Sequence, residues 1–159
     1  MDNNTYVYIL IDTLLKKNSL LDNLIQTTLF QKECITEETP DMDQFEQTLS
    51  EKEILIDQLN QLDDGFEVIY DHVKDEISNN KLKHKDDILK LQELIRQVTE
   101  KSTKLQALEL QNKSIIEFYF ANKKKEIKNF KRSSQTASNY YKNMSNQNQG
   151  ESYFLDKKK

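Results

Sequence analysis

The chain has 159 residues, 36% of them apolar and 31% charged, with two glycines, one proline and a formal net charge of −4. That length fits one domain, and the composition is too polar for a compact α/β core but suits long helices that each bury one stripe. No stretch approaches the roughly 18 uninterrupted apolar residues of a bilayer span, so stable membrane insertion is not expected. The first twenty residues alternate polar and apolar and carry Asp2, unlike a secretion signal. Cys34 has no second cysteine to pair with, which agrees with a reducing, cytoplasmic setting.

The near-neutral total hides two oppositely charged parts. Residues 1–120 hold 13 Lys+Arg and 24 Asp+Glu (13 − 24 = −11), and residues 121–159 hold 10 and 3 (10 − 3 = +7).

In chain order, Asp2 to Thr5 offer N-caps, after which Val7, Leu10, Ile11, Leu14, Leu21, Leu24, Ile25, Thr28 and Ile35 recur at spacings of three and four. This predicts a first helix over about residues 5–36. Pro40 ends it and suits the first turn of a second helix, with Thr39 as cap and Asp41 and Asp43 complementing the dipole. The second helix follows from Phe45, Leu49, Leu55, Ile56, Leu59, Leu62, Phe66, Ile69, Tyr70, Val73 and Ile77, and Gly65 is an interior cost of about 1 kcal/mol that a helix of this length absorbs. Ser78, Asn79 and Asn80 punctuate the chain. Ile88, Leu91, Leu94, Ile95, Val98, Leu105, Leu108, Ile115, Ile116 and Tyr119 then mark a third helix, whose seam is broken by Ser102, Glu109 and Asn112 in the manner of a register-setting section.

The fold class expected is all-α: an elongated antiparallel three-helix coiled-coil bundle with a partly disordered C-terminal tail. Its arms should run roughly 50 to 60 Å at 1.5 Å per residue. A turn near residue 79 or 80 places Pro40 beside Tyr119, so the third helix should lose its partners there. The expected division is a bundle over residues 1–120 and, over 121–159, an overhanging basic helix end and a client-binding tail.

Catalytic chemistry finds little foothold. Gly65 and Gly150 do not form a phosphate-cradling loop, His72 and His84 stand 12 residues apart, and one cysteine makes no zinc knuckle. No enzyme activity, cofactor or metal site is expected. His72 reads as a solvated helix residue and Cys34 as a small hydrophobe near a helix end. Lys123, Lys124 and Lys125 suit a helix C-terminus, and the −11 body beside them argues against nucleic acid as a partner.

The tail carries its own pattern. Phe130, Ser134, Ala137, Tyr141 and Met144 fall at +4, +3, +4 and +3, one face of a helix. Isolated helices of about 15 residues are marginal in water, so residues 130–145 read as a latent amphipathic helix that forms on a partner. Tyr153, Phe154 and Leu155 make a second anchor before three closing lysines.

Taken together, "LSEKEILIDQLNQLDDGFEVIY" in the second helix, "LQELIRQVTEKSTKLQALELQNKS" in the third, and "NYYKNM" with "YFLDKKK" in the tail resemble the FlgN-type flagellar export chaperones. The resemblance implies a cytoplasmic chaperone of flagellar type III secretion that keeps hook-associated, hook-filament junction proteins soluble and delivers them to the export gate. It also implies that the C-terminal segment recognises client, with a tyrosine, here Tyr140 or Tyr141, docking on the export gate's cytosolic domain. The client-binding residues expected are Phe130, Ala137, Tyr140, Tyr141, Met144, Tyr153, Phe154 and Leu155. The alternatives are a filament-cap chaperone of the sister family, which has the same shape, and a structural coiled-coil adaptor that works through its bundle face.

Overall fold

The computed structural model describes residues 2–121, 127–145 and 149–156. These residues form five helices: α1 Asn3–Thr36, α2 Met42–Asn79, α3 Lys85–Phe120, α4 Ile127–Ser145 and α5 Gln149–Asp156. The all-helical class expected from the apolar spacing is what is seen. The long lysine runs expected to extend the third helix and close the chain, 123–125 and 157–159, lie outside the described residues.

Local chemistry sets the helix starts. The Asp2 carboxylate accepts the Thr5 backbone N–H at 2.8 Å and so caps α1. At α2 the cap is Asp41, which accepts from the N–H groups of Asp43 and Gln44, both at 3.1 Å. The helix therefore begins after Pro40 rather than with it, because a carboxylate satisfies two orphan donors and meets the helix dipole better than the Thr39 hydroxyl would. No side-chain cap closes α3, whose first turn instead carries Asp86 and Asp87.

Side-chain pairs fix the directions. Gln31 on α1 bonds Thr48 on α2, and Tyr6 stacks on the exposed His72 with ring centroids 5.1 Å apart, so α1 and α2 are antiparallel. Asn18 donates to the Leu94 carbonyl and Asn112 to the Thr28 carbonyl, so α1 and α3 run parallel. α1 packs against both neighbours, while α2 and α3 oppose each other across the bundle diagonal without backbone contact. This leaves a groove between them on the side away from α1.

The groove is where the tail departs from expectation. Instead of overhanging as a partly disordered segment, α4 and α5 lie along the groove, each packed on both α2 and α3. They turn the expected three-helix bundle into a four-walled one. The physical reason is the diagonal spacing: an apolar trough lined by two long helices has to be covered, and the amphipathic face of the tail matches it. Phe130 meets Phe45 at 6.2 Å, at the end where α3 was expected to run out of partners, and Phe45 meets Phe120 at 6.3 Å.

The two apolar clusters are separated by polar groups. A large one spans α1 to α5, and a smaller one gathers Cys34, Ile35, Phe45, Ile116, Phe120 and Phe130. Between them Lys52 is buried against Glu109 and Gln31, and Asn112 donates to Gln31 at 3.2 Å. The polar breaks read in the α3 seam thus sit inside the core. Buried polar groups paired in this way specify register more than they add stability.

Gly65 offers a direct check. A β-carbon there would meet nothing within 4 Å. Gly65→Ala should therefore stabilise the chain by about 1 kcal/mol and raise its thermal midpoint by about 2 to 4 °C, read by circular dichroism.

Candidate functional site

The residues expected to hold client are brought together, but on the bundle. Phe130, Ala137, Tyr140, Tyr141, Met144 and Phe154 are buried, and Tyr153 and Leu155 are half-buried against the same core. The helical face of α4 is the one the spacing of three and four marks, with Ser133 and Ser134 also buried on it. What the spacing does not name is the surface that the face covers.

Several of these tail residues have an identifiable partner. Tyr140 Oη donates to Asp63 Oδ2 at 3.0 Å. Gln106 Nε2 donates to the Tyr141 carbonyl at 3.2 Å, and Ser102 Oγ lies 3.3 Å from Met144 Sδ. Farther along, Gln92 Nε2 donates to the Phe154 carbonyl at 3.0 Å, satisfying an acceptor in the last turn of α5. Tyr70 packs edge-on to Phe154 at 5.8 Å and tilted to Tyr153 at 5.6 Å.

Lys17 is the centre of this arrangement. It is 1% exposed, and its ammonium lies 2.6 Å from Asp63 Oδ1 and 2.8 Å from Glu151 Oε1. α1, α2 and α5 are thereby joined at one buried point. Burial opposes the charge on Lys17, but Glu151 and Asp63 together outweigh it and hold its pKa above the ordinary lysine value. Burial pushes the Glu151 carboxyl up, with Lys17 pulling against it. The residue was legible as an anomaly, since Lys17 stands three after Leu14 and four before Leu21, inside the apolar stripe of α1. Sequence reasoning gives no site role to Lys17, Glu151 or Gly150 and takes the acidic run around Asp63 for a solvated face.

Gly150 marks a close approach of α5 to the bundle. Its N–H donates to Glu67 Oε1 at 3.0 Å, and a β-carbon would lie 2.7 Å from the Phe66 ring. Only a residue without a side chain lets α5 come this near.

A cavity of about 150 Å³ remains between α3 and the tail, lined by residues including Ile95, Val98, Ser102, Met144 and Glu151. Packing on this wall is looser than a filled core requires. Among the described residues no group of three or more His, Cys, Asp or Glu side chains is placed to hold a metal ion. No helix among them is long and apolar enough to cross a membrane.

The buried phenols make the docking pH-sensitive. Burial pushes Tyr70 up to about 12. Burial, then the Asp63 charge, raises Tyr140, and burial, then Glu109, raises Tyr141. A phenol whose folded pKa is raised destabilises the fold once pH exceeds its unfolded value of about 10. Below that pH it contributes nothing. Absorbance at 295 nm should therefore show a late tyrosinate fraction, ionising only as the α4–α5 contacts open. Tyr140→Phe should reduce that fraction.

A family model described as FlgN protein matches residues 6–149, which covers α1 to α4 and reaches the first residue of α5. No curated protein and no solved structure matches the chain. With most of its length under that match, the chain belongs to the FlgN family of flagellar export chaperones.

Proposed function

We propose that the protein is a cytoplasmic, non-enzymatic chaperone of flagellar type III secretion, which keeps hook-associated junction proteins soluble and delivers them to the export gate. The family assignment supports a flagellar export chaperone, junction proteins are the clients that the family resemblance implies, and a filament-cap client is the second reading. The client-binding surface is the α4–α5 face made by Phe130, Ala137, Tyr140, Tyr141, Met144, Tyr153, Phe154 and Leu155.

The observation that carries this reading is that one amphipathic face holds most of the tail's large apolar side chains in a short, separately connected segment. A partner helix needs such a face to bury. Because the same side chains already pack on α2 and α3, client binding exchanges one burial for another. The measured affinity is the difference between the two, and a moderate affinity suits a carrier that releases its load. Tyr140 and Tyr141 also become available to the export gate only when the tail leaves the groove.

The test uses the sign of that exchange. Removing a tail anchor weakens the closed arrangement, so a tail with a purely structural role would leave client affinity unchanged or raised. In calorimetry with a recombinant junction protein, Tyr141→Ala with Met144→Ala should instead lower affinity at least tenfold. Lys142→Ala, on the exposed face, should have little effect. Equal binding by the double variant would remove the tail from client recognition and favour an adaptor acting through the bundle face.

A further inference from the structure

We propose that the groove between α2 and α3, filled here by α5, is itself a docking site for an amphipathic helix of the client, which enters as α5 leaves. The proposal rests on the chaperone reading above and adds where the client goes and what its helix must carry.

Opening the tail without replacing it is unfavourable. Phe66, Tyr70, Ile95 and Val98 would be left as an exposed apolar trough, the kind of surface that soluble proteins keep covered. A client that bound only the released tail would bear that whole cost. A client helix seated in the trough offsets it, with the tail closing over the outside.

The chemistry of the occupant is read from what α5 presents. A small residue faces the Phe66 ring, because a β-carbon at Gly150 meets it at 2.7 Å. Next in sequence, a carboxylate reaches the buried Lys17 at 2.8 Å, as Glu151 does. Three residues on, an aromatic side chain packs on Tyr70, as Phe154 does, and the nearby carbonyl accepts from Gln92. The groove therefore selects a helix of pattern small–acidic–x–x–aromatic. Lys17 supplies selection more than tightness, since the desolvation of buried ion pairs consumes most of their attraction. The cavity of about 150 Å³ lined in part by Ile95, Val98, Met144 and Glu151 leaves room beside α5 for a larger side chain away from the Phe66 contact.

The test is built on the full chain, which contains no tryptophan. Tyr70→Trp places a reporter on the groove wall. Gly150→Ile forces α5 away from Phe66 and should red-shift the reporter's emission while leaving far-ultraviolet helicity largely intact. Glu151→Lys, which opposes Lys17 with a like charge, does the same without forcing bulk against Phe66 and serves where the isoleucine variant folds poorly. A recombinant junction protein, with its own tryptophans replaced by phenylalanine, is then added. The expected results are association at least tenfold faster than with closed α5, return of the emission to the blue, and at least tenfold weaker binding when Lys17→Met is added to the open variant.

Binding with the emission still red would show the groove empty and overturn the proposal. So would a Lys17→Met variant that binds as tightly as its open parent, since Lys17 would then serve the tail alone. A concentration-dependent dimer of the open variant with blue emission would assign the groove to a second copy instead. If no variant and no unmodified chain bound the junction protein, the chaperone reading would fall together with this one.

Discussion

A lysine with 1% of its surface exposed is held between two carboxylates from different helices, and the placement of the tail depends on that contact. The ammonium of Lys17 cannot remain charged inside the bundle without Asp63 and Glu151, and they cannot be brought in without it. α1 supplies the cation, α2 one counter-ion, and α5 the other. Breaking such a set by removing one member typically costs about 3 to 5 kcal/mol, because a buried charge is left uncompensated. Lys17 carries a raised pKa, so its contribution is complete below the ordinary lysine value of 10.5 and is lost as pH rises through the folded value. The Lys17–Glu151 contact thus helps to fix where α5 stops along the groove.

Two polar layers divide the labour. The Lys52, Glu109, Gln31 and Asn112 set is built from side chains of α1, α2 and α3 and favours one register of those three helices. The Lys17 set needs Glu151 and is complete only with the tail docked. In a bundle with long apolar stripes, slipping a helix by one turn keeps much of the apolar contact but strands a buried charge. Each layer therefore penalises a different error, one in the assembly of the first three helices and the other in the seating of the tail.

The three long helices and their amphipathic faces were legible because they rest on local chemistry, with apolar residues every three or four positions and carboxylates at the first turns. The apolar face of α4 was legible for the same reason. Where α2 starts was misplaced by one turn signal, because Pro40 is as acceptable before a helix as within its first turn, and only the Asp41 geometry decides. The docking of the tail was not legible. Spacing shows that Phe130, Ala137, Tyr141 and Met144 share a face but is silent on whether a partner or the chain's own groove covers it. The groove arises from the diagonal placement of α2 and α3, a property of three-dimensional packing. A pointer did exist in Lys17, Gln31, Lys52 and Glu109, polar residues standing within apolar stripes, since each requires a buried partner that some other segment has to supply.

Under the proposed function the tail is both a wall of its own bundle and a client grip, and so is constrained twice. Its apolar face has to fit the groove well enough to keep it covered, yet a fit as good as a filled core would keep the client out. Apparent affinity for a partner falls in proportion to the fraction of molecules that are open. The features of this wall agree with a compromise. Gly150 permits a close approach at one point, and the carbonyls of Tyr141 and Phe154 are held by glutamines. The buried Glu151 carboxyl has its pKa raised by desolvation, so part of its attraction to Lys17 is spent on leaving water. Such contacts are directional and need alignment, which makes the closed state specific without making it deep. Under the proposed exchange, the bundle stays covered when empty, and the opening step has to lie within reach of ordinary binding energy.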